Sequence, residues 1–229
     1  MASNQTPEIE QNESERIYDI IRRDIISGEL MPLTKLKVSH IREHYNFGAA
    51  PVREALARLV GGGFVVQQSQ RGFRVRDMST EDVVDLSKMR ILLECEGVRA
   101  SLENGSDEWE SNLVAAYHKL SLAEKRRQSD DQSEDLEERN RAFHDALVAA
   151  ANSNWLLEMR AHVYAHHERY RYVSRQHSFG KRDTPAEHAA IFEAAIRRDV
   201  KETCKHLTRH IDLTTVQAVE AMKRGRSAF

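Results

Sequence analysis

Three consecutive glycines, Gly61-Gly62-Gly63, constrain this chain more than any other feature, because a helix does not run stably through such a stretch. They end a helix whose start is equally marked. Pro51 suits a first helical turn, where its missing N–H costs nothing. Val52, Ala55, Leu56 and Leu59 then recur at helical spacing, with Arg53 and Arg58 off that stripe. Two short β-prone runs follow the glycines, Phe64 to Gln68 and Phe73 to Arg76. The residues between them, Ser69-Gln70-Arg71-Gly72, predict a hairpin with a polar, basic tip. Upstream, Ile17, Ile20, Ile21 and Ile25 predict a first helix that stops at Gly28. Pro32 keeps the next stretch extended, Ser39 is placed to cap a short helix to about Tyr45, and Asn46-Phe47-Gly48 forms a turn. Helix, helix, turn, helix, hairpin is the order of a winged helix-turn-helix.

The texture changes after Asp77, and no further strand signal appears. Ser79 with Asp82 resembles a capping box, opening a long helix that Asn104-Gly105 stops. Helical patterns continue from Trp109 to about Arg127, Leu136 to Ala151, Trp155 to Arg175, Pro185 to Arg198 and Val200 to about Met222. The polar stretches Gln128 to Glu134 and His177 to Asp183 read as loops. The chain is therefore expected to be mainly α, with a winged helix-turn-helix followed by an antiparallel bundle of six or seven helices. Its expected parts are a disordered tail over 1–14, a DNA-reading domain over 15–76, a linker over 77–80, a helical domain over 81–222 and a tail over 223–229.

Composition excludes several classes. No apolar run approaches the ~20 residues needed to span a bilayer, and the polar N-terminus lacks the basic start and apolar stretch of a secretory signal. Two cysteines, Cys95 and Cys204, cannot make a disulfide framework or a four-thiolate zinc site. A cytoplasmic protein with reduced thiols is expected. The net charge of −2 argues at first against nucleic acid, but its distribution matters more than its sum. From Glu15 to Arg76 there are eleven Lys and Arg against six Asp and Glu, an excess of five, and the remainder is acidic. Such asymmetry suits one phosphate-facing end.

In a helix-turn-helix the second helix of the pair enters the major groove, with its first residues at base edges. Here that helix begins near Ala49 or Ala50, and Arg53 lies one turn in, placed to pair with guanine or grip a phosphate. The hairpin tip, Gln70-Arg71-Gly72, would reach the flanking groove or backbone. Lys35, Lys37 and Arg42 are candidate phosphate contacts. Taken singly, Arg53 and Arg58 read equally as solvated surface charges. Glu54 is expected to orient Arg53 or to face the domain interior.

Histidine is concentrated in the C-terminal part. His144 follows Asn140 by four residues on one helix face, His188 precedes the apolar Ile191 and Phe192, and His210 neighbours Leu207 and Ile211. Three helices could each aim one imidazole into the bundle, although His162/His166 and His206/His210 are also i,i+4 pairs. Neither a His-Glu-x-x-His motif nor a Gly-x-Ser-x-Gly elbow is present, and no acid/base pair stands out, so an enzyme is not expected. An architectural DNA-binding protein without a ligand is the remaining alternative.

The block Pro51-Val52-Arg53-Glu54-Ala55-Leu56 with Leu59 and the glycine turn resembles the GntR superfamily of bacterial repressors. Ile26-Ser27-Gly28-Glu29-Leu30 with Pro32 and Leu36, and Arg71-Gly72 followed by Val75, match it too. The remainder is similar to the FCD ligand-binding domain of the FadR-like branch. The resemblance spans about residues 15–222. One departure stands out: where the family often has Ser-Arg-Thr before the proline, this chain has Gly48, Ala49 and Ala50, so an arginine that often reads a base is absent.

The resemblance implies a homodimer on double-stranded operator DNA, and a repressor of a catabolic operon released by a small, anionic, carboxylate-containing effector. It also implies a divalent metal. Asn140-Arg141-Ala142-Phe143-His144 fits the family's Asp/Asn-x-x-Phe-His pattern, and His188 and His210 stand where the two later histidines stand. Zinc is the default ion, with nickel or another first-row ion suited to three imidazoles. Asn140 replaces the more usual aspartate, a weaker and neutral donor. Arg90 and Glu94 resemble the family's Arg-x-x-x-Glu helix, where the arginine could fork onto an effector carboxylate or pair with Glu94 itself. Arg171 and Tyr172, beside Arg169 and Tyr170, would line the effector cavity or form a subunit interface.

Overall fold

The computed structural model describes residues 13–68, 72–127, 133–176 and 182–226. The expectations for residues 1–12, for Gln70 and Arg71 in the hairpin tip, for 128–132 and 177–181 in the two polar stretches, and for 227–229 lie outside the described residues. The chain divides between Met78 and Ser79 into two compact units.

The first unit runs α1 (Glu13–Ile26), β1 (Lys35–Leu36), α2 (Val38–Tyr45), α3 (Ala49–Gly61), β2 (Val65–Gln68) and β3 (Gly72–Val75). α1 buries Ile17, Ile21 and Ile25, one residue per turn, and packs on α3, whose Val52, Ala55, Leu56 and Leu59 face inward. The glycine run stops α3 by hydrogen bonding. Gly63 takes a φ of 71°, Phe64 N–H donates to the Leu59 carbonyl at 3.0 Å and Gly63 N–H to that of Val60 at 3.0 Å. This pair of hydrogen bonds to the last turn needs a residue in the left-handed conformation, which glycine adopts without steric cost. β2 and β3 form the expected hairpin, with Val65 opposite Val75 and Gln68 opposite Gly72.

Three details differ from expectation. A third strand, β1, pairs antiparallel with β3, giving the order β1-β3-β2. Two residues carry no alternation to read, so only the pairing reveals it. α2 begins at Val38 with Lys37 as its cap residue and no side-chain cap bond, so Ser39 is inside the helix. α1 already includes Glu13 and the buried Ser14, which were expected in the tail.

The second unit has six helices among the described residues: α4 (Thr80–Asn104), α5 (Asp107–Arg127), α6 (Ser133–Val148), α7 (Asn154–Gln176), α8 (Thr184–Ile196) and α9 (Val200–Arg226). Ser79 caps α4, its Oγ accepting from Asp82 N–H at 3.0 Å. Ser79 and Thr80 thus belong to the start of α4 rather than to a linker, and α9 extends past the expected end at 222. α4 packs on α6, α7 and α9, while α5 lies on α6 and α8. Leu113, Phe143, Leu147, Ile191, Leu207 and Ile211 form the heart of the core. Two contacts set the spacing around it. Trp109 Nε1 donates to the Ala146 carbonyl at 2.9 Å, tying α5 to α6. A Cβ at Gly97 would lie 2.8 Å from Val148 Cγ1, so the missing side chain lets α4 approach α6 closely. None of the described helices is long and apolar enough to cross a membrane.

Candidate nucleic-acid interface and metal centre

In the first unit α2, the turn at Asn46 and α3 form the helix pair. Asn46 takes a φ of 55°, in the left-handed region that asparagine tolerates better than most residues. The apolar stripe of α3 turns inward, so Arg53 on its other side is exposed. Ala49 is half-buried and Ala50 exposed at the start of the same helix. Lys35 on β1 and Arg42 on α2 are exposed, as is Gly72, which opens β3 with a φ of 86°. Glu54 is exposed, so it does not face the interior. Arg58 instead lies 4.5 Å over the ring of Tyr18 from α1, a packing role within the unit.

In the second unit three histidines converge. His144 on α6, His188 on α8 and His210 on α9 are all buried, and one ring nitrogen of each lies within 4.8 Å of the others. Ring centroids are 4.7 Å apart for His188 and His210, 5.4 Å for His144 and His210, and 6.0 Å for His144 and His188. Each imidazole has a carboxylate at Nδ1. Glu94 from α4 is 3.3 Å from His144, Glu124 from α5 is 2.7 Å from His188, and Glu187 from α8 is 2.8 Å from His210. The opposite nitrogens, Nε2 of His144 and of His188, are buried without any hydrogen-bond partner. An unsatisfied buried polar atom costs about 1–3 kcal/mol. Converging imidazoles with carboxylates on Nδ1 and unpartnered Nε2 atoms are what a bound first-row ion requires of its ligands. The donor set therefore fits a metal.

Electrostatics favour the same chemistry. Burial lowers His144 to about 3 against the pull of Glu94, and burial with the neighbouring histidines holds His210 well below its usual range. Both are neutral near pH 7 and keep a lone pair. Burial pushes Glu94 up, but Arg160, Arg90 and His144 outweigh it and hold the carboxyl well below the usual range. Asn140, on the same face of α6 as His144, is buried, and its amide nitrogen donates to Tyr164 Oη at 2.8 Å. Its carbonyl oxygen is the atom left for an ion.

A cavity of about 320 Å³ opens beside the histidines, lined by Asn140, Arg171, Arg182, His188, His210 and Thr214 among others. Of the four residues expected around an effector, Arg171 lines it. It also holds Glu137 and Glu168 and donates to Tyr164 Oη at 3.1 Å. Arg90 does not line this cavity. It is 1 % exposed, donating from Nε to Glu94 at 2.9 Å and meeting His167 Nδ1 at 3.0 Å, so the same-helix ion pair is the arrangement observed. Its Nη2 is buried without a partner. Glu94 serves His144 rather than the cavity wall, and half-buried Tyr172 lies off the lining. Glu124, Glu187 and Arg182 were not anticipated. Arg182 reaches Glu187, Thr214 and the His210 carbonyl from a stretch that reads as loop. Glu187 precedes His188 in the chain but supports His210, a pairing that no local pattern announces.

Comparison with known proteins follows the same division. The family model described as "Bacterial regulatory proteins, gntR family" matches residues 13–75, and the FCD domain model matches residues 85–213. The chain is 37% identical over 200 residues to the HTH-type transcriptional regulator BphR of Paraburkholderia xenovorans strain LB400, covering 86% of this chain and 82% of that one. It is 30% identical over 212 residues to the HTH-type transcriptional repressor GlaR of Escherichia coli K12, covering 91% and 96%. Among solved structures, a putative GntR transcriptional regulator from Rhodococcus sp. RHA1 matches with a TM-score of 0.71 at 25% identity, covering 91% of this chain and 98% of that one. E. coli McbR/YncC shares the fold, with a TM-score of 0.78 at 18% identity over 91% of this chain and 98% of that one.

Proposed function

This chain belongs to the GntR family of bacterial transcriptional regulators, with an FCD domain as its C-terminal unit, and we propose that it is a metal-dependent, effector-released repressor of a catabolic operon. It is a regulator and not an enzyme. The observation that carries the reading is the histidine cluster. Three imidazoles converge, three carboxylates orient them, and two buried Nε2 atoms have no protein partner.

His144, His188 and His210 would hold the ion, with the Asn140 carbonyl as a fourth, weaker donor. Zinc is the ion proposed, with nickel or another first-row ion as the alternative. Bound there, the metal would supply an electrophile for an oxygen donor of the effector. Arg171 and Arg182 line the adjoining cavity and add positive charge, which suits a small carboxylate. At the other end, the exposed Arg53 would meet base edges or phosphate, with Lys35, Arg42 and the start of α3 at Ala49 and Ala50 against the backbone. Gln70, Arg71 and Gly72 would form the wing contact. A homodimer would present two such helices to a two-fold operator, and the effector would favour the form that releases DNA. The name of GlaR as a repressor supports the sign of regulation.

Two measurements test this together. Purified protein analysed by plasma mass spectrometry should carry one first-row ion per chain, lost in His188→Ala. Gel-shift titration on the DNA upstream of its own gene should show binding that a carboxylate metabolite weakens only when the metal is present. Binding no tighter than to random DNA would remove the regulatory reading. A metal-free protein that still responds to carboxylates would remove the metal.

A further inference from the structure

The two cysteines have no part in DNA reading or in the histidine cluster, yet the fold brings them together. They are 109 residues apart in sequence, Cys95 on α4 and Cys204 on α9, at the seam where these helices pack. Cys95 Sγ lies 3.9 Å from the Cys204 carbonyl, and Cys204 Sγ lies 3.7 Å from the Cys95 carbonyl. The approach is thus reciprocal, with each thiol against the other residue's backbone.

We propose that Cys95 and Cys204 form a redox-active pair, oxidised by small hydroperoxides to a reversible disulfide across the α4–α9 seam. The two thiols are not equivalent. Cys204 lines a shallow surface groove with Lys205, Thr208 and Arg209, so a small oxidant can reach it from solvent. Cys95 is not part of that groove's lining and has Thr208 Oγ1 at 3.8 Å. The neighbouring Cys95 thiol, helped by Arg99, lowers the Cys204 thiol from its ordinary range, while the same neighbour and burial push Cys95 up. The sulfur that lines the groove is therefore the one assigned to attack peroxide, which it does as the thiolate.

The chemistry runs in two balanced steps. The Cys204 thiolate attacks one peroxide oxygen, the O–O bond breaks, and hydroxide leaves and is protonated to water. Cys204 is now a sulfenic acid. The Cys95 sulfur then attacks the Cys204 sulfur, the S–O bond breaks, and the hydroxyl leaves as water with the Cys95 proton. Two thiols lose two electrons in all, and one hydrogen peroxide becomes two waters. A dithiol reductant reverses the bond by exchange. Because Cys95 follows Glu94 and Cys204 shares α9 with His210, the bond would pin the two helices on either side of the histidine cluster.

The full-length protein, treated with a small excess of hydrogen peroxide, denatured in an alkylating agent and weighed intact, provides the test. The expected product is a monomeric chain about 2 Da lighter that resists alkylation, with one Cys95–Cys204 linked peptide, restored by dithiothreitol. Cys95→Ser should stop at a sulfenic acid trapped by dimedone, and Cys204→Ser should react at least about ten-fold more slowly than wild type. Two free, alkylated cysteines after treatment, or a bond between chains in place of one within a chain, would overturn the proposal. Equal rates for Cys204→Ser and wild type would overturn the assignment of Cys204 as the attacking sulfur. None of these outcomes depends on DNA binding or on the metal.

Discussion

The two units of this protein place their charged residues in opposite ways. In the first, the buried side chains are apolar apart from Ser14 among the described residues, and Arg53, Lys35 and Arg42 stand in water. In the second, Arg90, Glu94, His144, His167, His188 and His210 lie in the interior. A solvated guanidinium loses little by waiting for a phosphate, and it gains when counterions leave on binding. A buried one survives only with partners, because an unpaired charge in the interior is very costly. Arg90 has Glu94, His167 and the face of Tyr164 at 4.4 Å. Where the interior leaves polar atoms unmet, as at Nε2 of His144 and His188, the fold tolerates a penalty that binding would remove. One unit thus keeps its charge at the surface, and the other keeps polar atoms in an interior that protein atoms alone do not satisfy.

The contrast breaks most directly on two arginines. Arg90→Ala should destabilise the second unit by about 3–5 kcal/mol, since it strands Glu94 in the interior. Arg160, 3.6 Å from Glu94, holds the effect toward the lower end. Urea denaturation followed by circular dichroism measures it, and an unchanged midpoint would mean that the buried network is not structural.

Acidification is the next largest effect. His144 falls to about 3 in the folded state from its ordinary value near 6.5. The unfolded chain therefore binds more protons between these values, and the metal-free protein should lose stability as pH drops from about 6.5. Glu94, held below its ordinary range, adds to the loss only below about pH 4.5. Thermal melts of metal-free protein at pH 7.5 and 5.5 should show the decline already in the histidine window, and His144→Gln should make it shallower, with His167 and His210 keeping the rest.

Glu124→Gln sharpens the comparison within the second unit. It keeps the shape beside His188 but removes the charge, and should weaken zinc binding by about 10–100-fold in competition titrations with a chromophoric chelator. Unaltered affinity would show that the carboxylate does not tune its imidazole. Arg53→Ala should cost about 1–3 kcal/mol of operator affinity. Its effect on the melting transition should be the smallest of all, within about 0.5 kcal/mol, because the side chain is exposed. A large loss of stability with unchanged DNA affinity would reverse the roles assigned to the surface and the interior.

Local chemistry alone determined much of this protein. Pro51 and the glycine run bound α3 and Ser79 starts α4, whereas spacing only allowed His144, His188 and His210 to face inward and the family resemblance picked them out from the other histidine pairs. The helix boundaries depend on neighbours within a turn or two of helix, so they can be read along the chain. Tertiary structure decided the rest. β1 exists only because β3 lies beside it, Glu124 meets His188 from 64 residues away, and Glu187 turns from its neighbour His188 to His210. The same packing buried Arg90 away from the cavity and set Cys95 against Cys204. Each of these pairings is fixed by how helices and strands stack, and stacking brings together residues that no periodicity links.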